Sequence, residues 1–152
     1  MDRKTGNMFN VLMVDDDEDD QYLIGSAFSE EDDFSMQFAN DGHEGLAKLS
    51  DRVNLPDLVL LDLNMPKMGG FELLKHLQIM LSPHILPVIV LTTSNQNDDI
   101  QKAFELGATK YIIKPKSINV LGSIVENIRL FLKQDPQFRG FVYVPGNIAR
   151  PK

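Results

Sequence analysis

Three carboxylates, a hydroxyl and an ammonium each stand at the C-terminal end of a short apolar run. Asp15 and Asp16 follow the run 8–14, Asp62 follows 57–61, Thr92 closes the run 88–91, and Lys114 follows 111–113. Open parallel sheets bind ligands beyond the carboxyl ends of their strands, so parallel pairing of these runs brings all five side chains to one crevice. Two carboxylates ~4 Å apart repel by about 4 kcal/mol even at an effective dielectric near 20, and three together require a cation. Hard oxygen donors suit Mg²⁺ or Mn²⁺, and the absence of a histidine near the group disfavours zinc. Lys114 then pairs with a carboxylate or with an incoming phosphoryl oxygen. Such a set is suited to in-line phosphoryl transfer onto aspartate. Asp62, alone at the end of a middle run, is the candidate nucleophile, and Asp15 and Asp16 are the candidate metal ligands.

The elements that must position these groups can be read from periodicity. The run 8–14 is a strand buried on both faces, and Tyr22, Leu23 and Ala27 recur at helical spacing over about 18–29. A second strand covers 35–39, where Met36 and Phe38 alternate with polar residues. Asp41-Gly42 marks a turn before a helix carrying Leu46, Ala47 and Leu49. Pro66 and Gly69-Gly70 mark a loop before the stripe Phe71, Leu74 and Leu77. A helix over 98–106 stops at Gly107, and Ser117 caps a last helix with apolar positions 118, 121, 124, 125, 128 and 132. Five strands alternating with five helices predict a doubly wound α/β fold, a parallel sheet covered on both faces through right-handed crossovers.

The 152 residues fit one unit of about 8–132 with no repeat or low-complexity segment, and a tail over 133–152. Phe138, Phe141, Val142, Tyr143 and Val144 make that tail too apolar for a simple disordered end, so a packing or dimerisation arm is expected. There are 22 acids against 15 bases, a net charge of −7, which argues against nucleic acid or an anionic membrane as the main partner. The block 15–20 alone carries six of those acids. Asp15 and Asp16 are assigned to the cation site, and Asp17, Glu18, Asp19 and Asp20 to a helix first turn, where acids favour the macrodipole. No cysteine is present, which excludes disulfides, thiolate zinc sites and a cysteine nucleophile. No segment approaches the ~20 apolar residues of a membrane helix. Arg3 and Lys4 precede an apolar run, but Asn10 interrupts it and no small-residue cleavage site follows, so a cytoplasmic location is expected. His43, His76 and His84 read as surface residues, and Met13, Met36, Met65 and Met68 as packing.

The segments Val14-Asp-Asp-Asp17, Leu58-Val-Leu-Leu-Asp-Leu-Asn-Met-Pro-Lys-Met-Gly-Gly-Phe-Glu72, Pro87-Val-Ile-Val-Leu-Thr-Thr93 and Tyr111-Ile-Ile-Lys-Pro115 resemble the receiver domain of bacterial two-component response regulators. The resemblance covers about 8–132, with 30 residues from Asp62 to Thr92 and 22 more to Lys114. It implies a flavodoxin-like five-stranded sheet of order 2-1-3-4-5. Asp62 is then the phosphoacceptor, served by a sensor histidine kinase or phosphotransfer protein. Asp16 binds Mg²⁺ directly, Asp15 mainly through water, and the main-chain carbonyl of Asn64 is a further ligand. Lys114 contacts the phosphoryl group, and the Lys114–Pro115 bond is cis. Thr92 swings to a phosphoryl oxygen, Tyr111 turns inward into the vacated space, and the helix 4–strand 5–helix 5 face changes for a downstream protein target. Asn64 and Ser94 occupy positions that tune phosphoryl lifetime. One departure is Gly69-Gly70, where the family usually has Asp-Gly. The length implies a stand-alone receiver, similar to small regulators paired with phytochrome-type or hybrid sensor kinases.

Three other readings compete. A haloacid-dehalogenase-like phosphatase needs a second Asp two residues after its nucleophile, a position held here by Asn64. A flavodoxin-like cofactor binder needs a Ser/Thr/Gly phosphate loop where this chain has acids. A pseudo-receiver that signals by contact alone has no use for the complete set of five residues. The expected protein is therefore a phosphoacceptor switch rather than an enzyme, with at most slow self-dephosphorylation.

Overall fold

The computed structural model describes residues 8–81 and 86–134. Five strands, β1 (Phe9–Val14), β2 (Phe34–Ala39), β3 (Leu58–Leu61), β4 (Val88–Thr92) and β5 (Lys110–Ile113), form one parallel sheet in the order β2-β1-β3-β4-β5. Five helices connect and follow them: α1 (Glu18–Ser29), α2 (Gly42–Leu49), α3 (Gly70–Met80), α4 (Asn97–Glu105) and α5 (Leu121–Leu132). The expected fold class is therefore observed. His84 and the tail residues from 135 onward lie outside the described residues, and with them the expectation of a packing or dimerisation arm.

The near-continuous apolar strands reflect two-sided burial. Alternate residues of one strand enter separate cores, because successive side chains point to opposite faces. Val11 and Met13 of β1 join Leu58, Leu60, Ile89, Leu91 and Ile112 beneath α1 and α5. Leu12 and Val14 join Val59, Leu61, Val88, Val90 and Ile113 on the other face, with Leu73, Leu74, Ile100 and Ala103 from α3 and α4. Sequence order reverses between β1 and β3, and the crevice of a doubly wound sheet opens at that point.

Ser117 does cap a helical segment, accepting from the Asn119 amide, but that segment is a single 3₁₀ turn (Ile118–Val120) before α5. The tighter turn rotates Ile118 off the α5 stripe, and it is 67% exposed instead of packed. Gly107 ends α4 as expected, with φ +102°, a conformation in which a Cβ is strained.

The Gly69-Gly70 departure has two different meanings. Gly69 is the N-cap of α3 in extended backbone and supplies no side-chain cap. An Asp there offers an oxygen to the first-turn amides. Gly69→Asp is expected to stabilise the fold by a few tenths of a kcal/mol, read as a rise in the urea midpoint, while Gly69→Ala gives no gain. The added Cβ meets the Leu63 carbonyl oxygen at 3.3 Å, so the gain stays at the low end. Gly70 is a matter of space, taken up in the Discussion.

Candidate functional site

The pairing ladder continues one residue past three strands and thereby aligns the site. The Asp15 N–H donates to the Ala39 carbonyl (3.0 Å), the Asp62 N–H to that of Val14 (3.0 Å), and the Lys114 N–H to that of Thr92 (2.8 Å). Side chains that the sequence places at strand ends are thus held in register by backbone bonds. Asp15 is fully buried, Asp62 is 7% exposed and Thr92 is fully buried, whereas Asp16 and Asn64 are exposed on the rim.

Lys114 is the hub. Its Nζ lies 2.6 Å from Asp20 Oδ2, 2.8 Å from Asp15 Oδ2 and 3.4 Å from Asp62 Oδ2. Burial by itself lowers the affinity of this amine for its proton, but the bonds from Asp15 and Asp20 outweigh burial and hold it as a cation. Burial is also the main influence on Asp15, raising its pKa to about 6 against the opposing pull of Lys114 and of the Asp17 amide, which donates to Oδ1 at 2.9 Å. The Thr92 hydroxyl donates to Asp62 Oδ1 at 2.6 Å.

Among the described residues, Asp15, Asp16 and Asp62 can each place one oxygen within 4.8 Å of the others. All three donors are carboxylate oxygens, and Asp15 Oδ2 is buried with no satisfied hydrogen bond beyond its ion pair to Lys114. Three acids contact one ammonium and Asp16 adds a fourth negative charge to the crevice, so a hard divalent cation fits the charge as well as the donor type. Asn64 lines the same crevice, and its N–H points at Asp62 Oδ1 at 3.5 Å.

Three details depart from expectation. First, the Lys114–Pro115 bond is trans, as no peptide among the described residues is cis. At X–Pro bonds the two isomers differ by only about 0.5–1 kcal/mol, and the trans form already lets Lys114 reach its acids. Second, Asp20 is no ordinary first-turn acid, because its carboxylate makes the shortest contact to Lys114. Sequence spacing carried no sign of this pair, which spans 94 positions. Its neighbours behave as expected: Asp17 is the N-cap of α1, accepting from the amides of Asp19 and Asp20, and Glu18 and Asp19 fill the first turn. Third, Tyr111 is already turned inward while the Thr92 hydroxyl is on Asp62, whereas the expected switch turns Tyr111 inward once Thr92 has moved to a phosphoryl oxygen. Tyr111 is 3% exposed, and its hydroxyl donates to the Ser94 carbonyl at 2.9 Å. Burial pushes this phenol up to about 12, so it remains a donor. The Ser94 hydroxyl donates to Asp99 on α4 at 2.6 Å. His43 and His76 are exposed, as expected.

A doubly wound sheet with acids from β1 and β3, a threonine from β4 and a lysine from β5 around one crevice defines an aspartate-centred phosphoacceptor class of site. The chain belongs to the response regulator receiver domain family, whose profile matches residues 11–126. It is 35% identical over 132 residues to the probable methanogenesis regulatory protein FilR2 of Methanothrix harundinacea, covering 80% of this chain and 81% of that one. It is 36% identical over 110 residues to a protein-glutamate methylesterase/protein-glutamine glutaminase of Myxococcus xanthus, covering 72% of this chain but only 30% of that protein. Among solved structures, the phosphorylated cyanobacterial phytochrome response regulator RcpA superposes with a TM-score of 0.75 at 30% identity, over 88% of this chain and 99% of that one. The Mn²⁺-bound form of response regulator Rcp1 gives 0.72 at 28%, over 87% and 99%.

Proposed function

We propose that this protein is a response regulator switched by phosphorylation of Asp62. The observation that carries the reading is the convergence of Asp15, Asp16, Asp62, Thr92 and Lys114 on one crevice, with Lys114 held as a cation among the acids. The solved relatives RcpA, phosphorylated, and Rcp1, Mn²⁺-bound, support it.

Asp16, Asp62, the Asn64 main-chain carbonyl and Asp15, the last mainly through water, would hold Mg²⁺ or Mn²⁺. The bound cation supplies charge neutralisation at the phosphoryl oxygens and lets the acids stay ionised. In the transfer, an Asp62 carboxylate oxygen bonds to phosphorus as the P–N bond of a phosphohistidine breaks. The electron pair leaves with the imidazole, and an acyl phosphate remains on Asp62. Lys114 offers an N–H to one phosphoryl oxygen. Thr92 moves its hydroxyl from Asp62 Oδ1 to another, and Tyr111 stays in the pocket beneath Ser94. The α4–β5–α5 face that these residues underlie is read by a downstream protein target. Asn64 and Ser94 set the phosphoryl lifetime. The donor is a sensor histidine kinase or phosphotransfer protein, a cytoplasmic location goes with such a donor, and the chain acts as a switch with at most slow self-dephosphorylation.

The test is incubation with acetyl phosphate, with and without Mg²⁺, followed by intact-mass measurement. A single phosphoryl addition that requires the cation is expected. An unchanged mass favours the contact-only pseudo-receiver, and sustained hydrolysis of general phosphate esters favours the phosphatase.

Cation binding should also depend on pH with a defined sign. Asp15 has to be ionised to serve the cation, and its folded pKa lies at about 6, raised from 3.8. Mg²⁺ affinity is therefore level above about pH 7 and falls by roughly tenfold per unit below pH 6, as for competition with one proton. In the metal-free protein the same shift costs the fold nothing well below pH 3.8, and the penalty grows between pH 3.8 and about 6 and is level above that. Titration with Mg²⁺ by calorimetry at pH 5, 6 and 7.5 checks this, and a pH-independent affinity would contradict it. Among the described residues no helix is long and apolar enough to cross a membrane.

A further inference from the structure

We infer that Asp20 is a positioning residue that restrains Lys114, so that phosphoryl transfer to Asp62 is slower than the rest of the site permits. This rests on the reading of Asp62 as phosphoacceptor. An ammonium has three N–H donors. Two of them meet Asp20 at 2.6 Å and Asp15 at 2.8 Å, and only the third faces Asp62, at 3.4 Å. Asp20 thus takes the shortest bond to the cation that the transfer needs, and a phosphoryl oxygen arriving at Asp62 has to draw Lys114 against that bond.

The restraint is built into the backbone. The Asp15 carboxylate accepts the Asp17 amide at 2.9 Å, and the Asp17 carboxylate accepts the Asp20 amide at 3.1 Å. Asp20 is therefore fixed relative to Asp15 through the α1 cap, and the two acids hold Lys114 from two sides. The Lys114 side chain is 8% exposed, so little water competes for its donors, whereas Asp20 is 30% exposed and free to leave it for solvent. That asymmetry makes Asp20 a removable partner and Asp15 a permanent one. The Asp20 carboxylate bonds to Lys114, and it acts on Asp62 through that bond.

The full-length chain, saturated with Mg²⁺, is phosphorylated with increasing acetyl phosphate, separating the limiting rate from the half-saturating donor concentration. Four forms are compared: wild type, Asp20→Asn, Asp20→Glu and Asp19→Asn. Asp19 lines the same crevice and removes the same charge without a bond to Lys114. Asp20→Asn is expected to raise the limiting rate by about twofold to fivefold, on the scale of a partly exposed ion pair. Asp20→Glu returns it toward wild type, and Asp19→Asn shifts only the half-saturation. In parallel, the Lys114 ammonium resonance is expected to be visible by NMR in the wild type and to broaden in Asp20→Asn. An unchanged or lower limiting rate, an equal gain in Asp19→Asn, or an unmoved ammonium resonance overturns the inference. A wild type that gains no phosphoryl mass removes the parent reading and this one with it, and that result is distinct from labelling at unaltered rates.

Discussion

Asp62→Asn is expected to abolish phosphoryl incorporation and, at the same time, to raise the stability of the metal-free protein. The first effect follows from removing the nucleophile. An amide oxygen does not form the acyl phosphate, and labelling by acetyl phosphate falls by about 10³-fold or more, the scale for loss of a nucleophile. The second follows from charge. Asp62 is nearly buried beside Asp15 and Asp16, and Lys114 gives it only the longest of its three contacts, 3.4 Å. Carboxylates at such separations repel by a few kcal/mol each at an effective dielectric of about 20. Asparagine keeps the acceptor for the Thr92 hydroxyl and removes the charge, so the gain is about 1–2 kcal/mol, or roughly 3–6 °C in Tm. Intact-mass measurement and a thermal melt in chelator check the two parts. Saturating Mg²⁺ should reverse the order of stability, because only the wild type retains the complete donor set. A variant that still takes up a phosphoryl group, or that melts lower without metal, would contradict the assignment.

Gly70→Ala is expected to destabilise the protein by about 3 kcal/mol, the upper range for forcing atoms into filled space. A Cβ at Gly70 would lie 2.4 Å from the Asp62 carbonyl oxygen, 2.8 Å from Leu63 Cα and 3.1 Å from the Asp62 carbonyl carbon. All three are main-chain atoms at the end of a central strand, so no rotamer change relieves the overlap. The Gly70 N–H also donates to the Leu63 carbonyl at 3.1 Å, which fixes how closely α3 begins behind Asp62. Either α3 or the end of β3 has to move, so the substitution should slow phosphorylation of Asp62 as well as lower the urea midpoint. Gly122→Ala is the control. Nothing lies within 4 Å of its Cβ position, in a helix, and alanine there should stabilise by about 0.5–1 kcal/mol. Equal midpoints for the two alanine variants would refute the steric account.

The five strands and the groups at their ends were legible because both signals are local. A run buried on both faces has to be continuously apolar, and a charged residue that ends it has to lie at the rim. Asp15, Asp62, Thr92 and Lys114 were found in this way, and the three backbone bonds beyond the strands confirm their alignment. The first turn of the last helical segment is less legible, since 3.6- and 3.0-residue turns differ little over three residues, and the apolar spacing puts Ile118 on a packed face that it does not occupy. The geometry of Lys114–Pro115 was missed for an energetic reason. An isomer preference of about 0.5–1 kcal/mol is smaller than what surrounding contacts can impose.

Element order, the two-sided burial of the sheet and the chemical types gathered at its carboxyl edge follow from periodicity and run length, which the chain carries residue by residue. How the charges are shared depends on contacts between distant segments. Asp20 and Lys114 stand 94 positions apart, and only the rotation of α1 over the sheet turns Asp20 toward β5, leaving Asp17 to cap and Asp19 on the crevice wall without a bond to Lys114. Likewise, only packing against α4 places the Tyr111 hydroxyl on Ser94. Six adjacent acids look alike as a run of charge. Their roles separate because the run passes from a strand end through the Asp17 cap into α1, where each residue turns by about 100°, and Lys114 reaches only some of them.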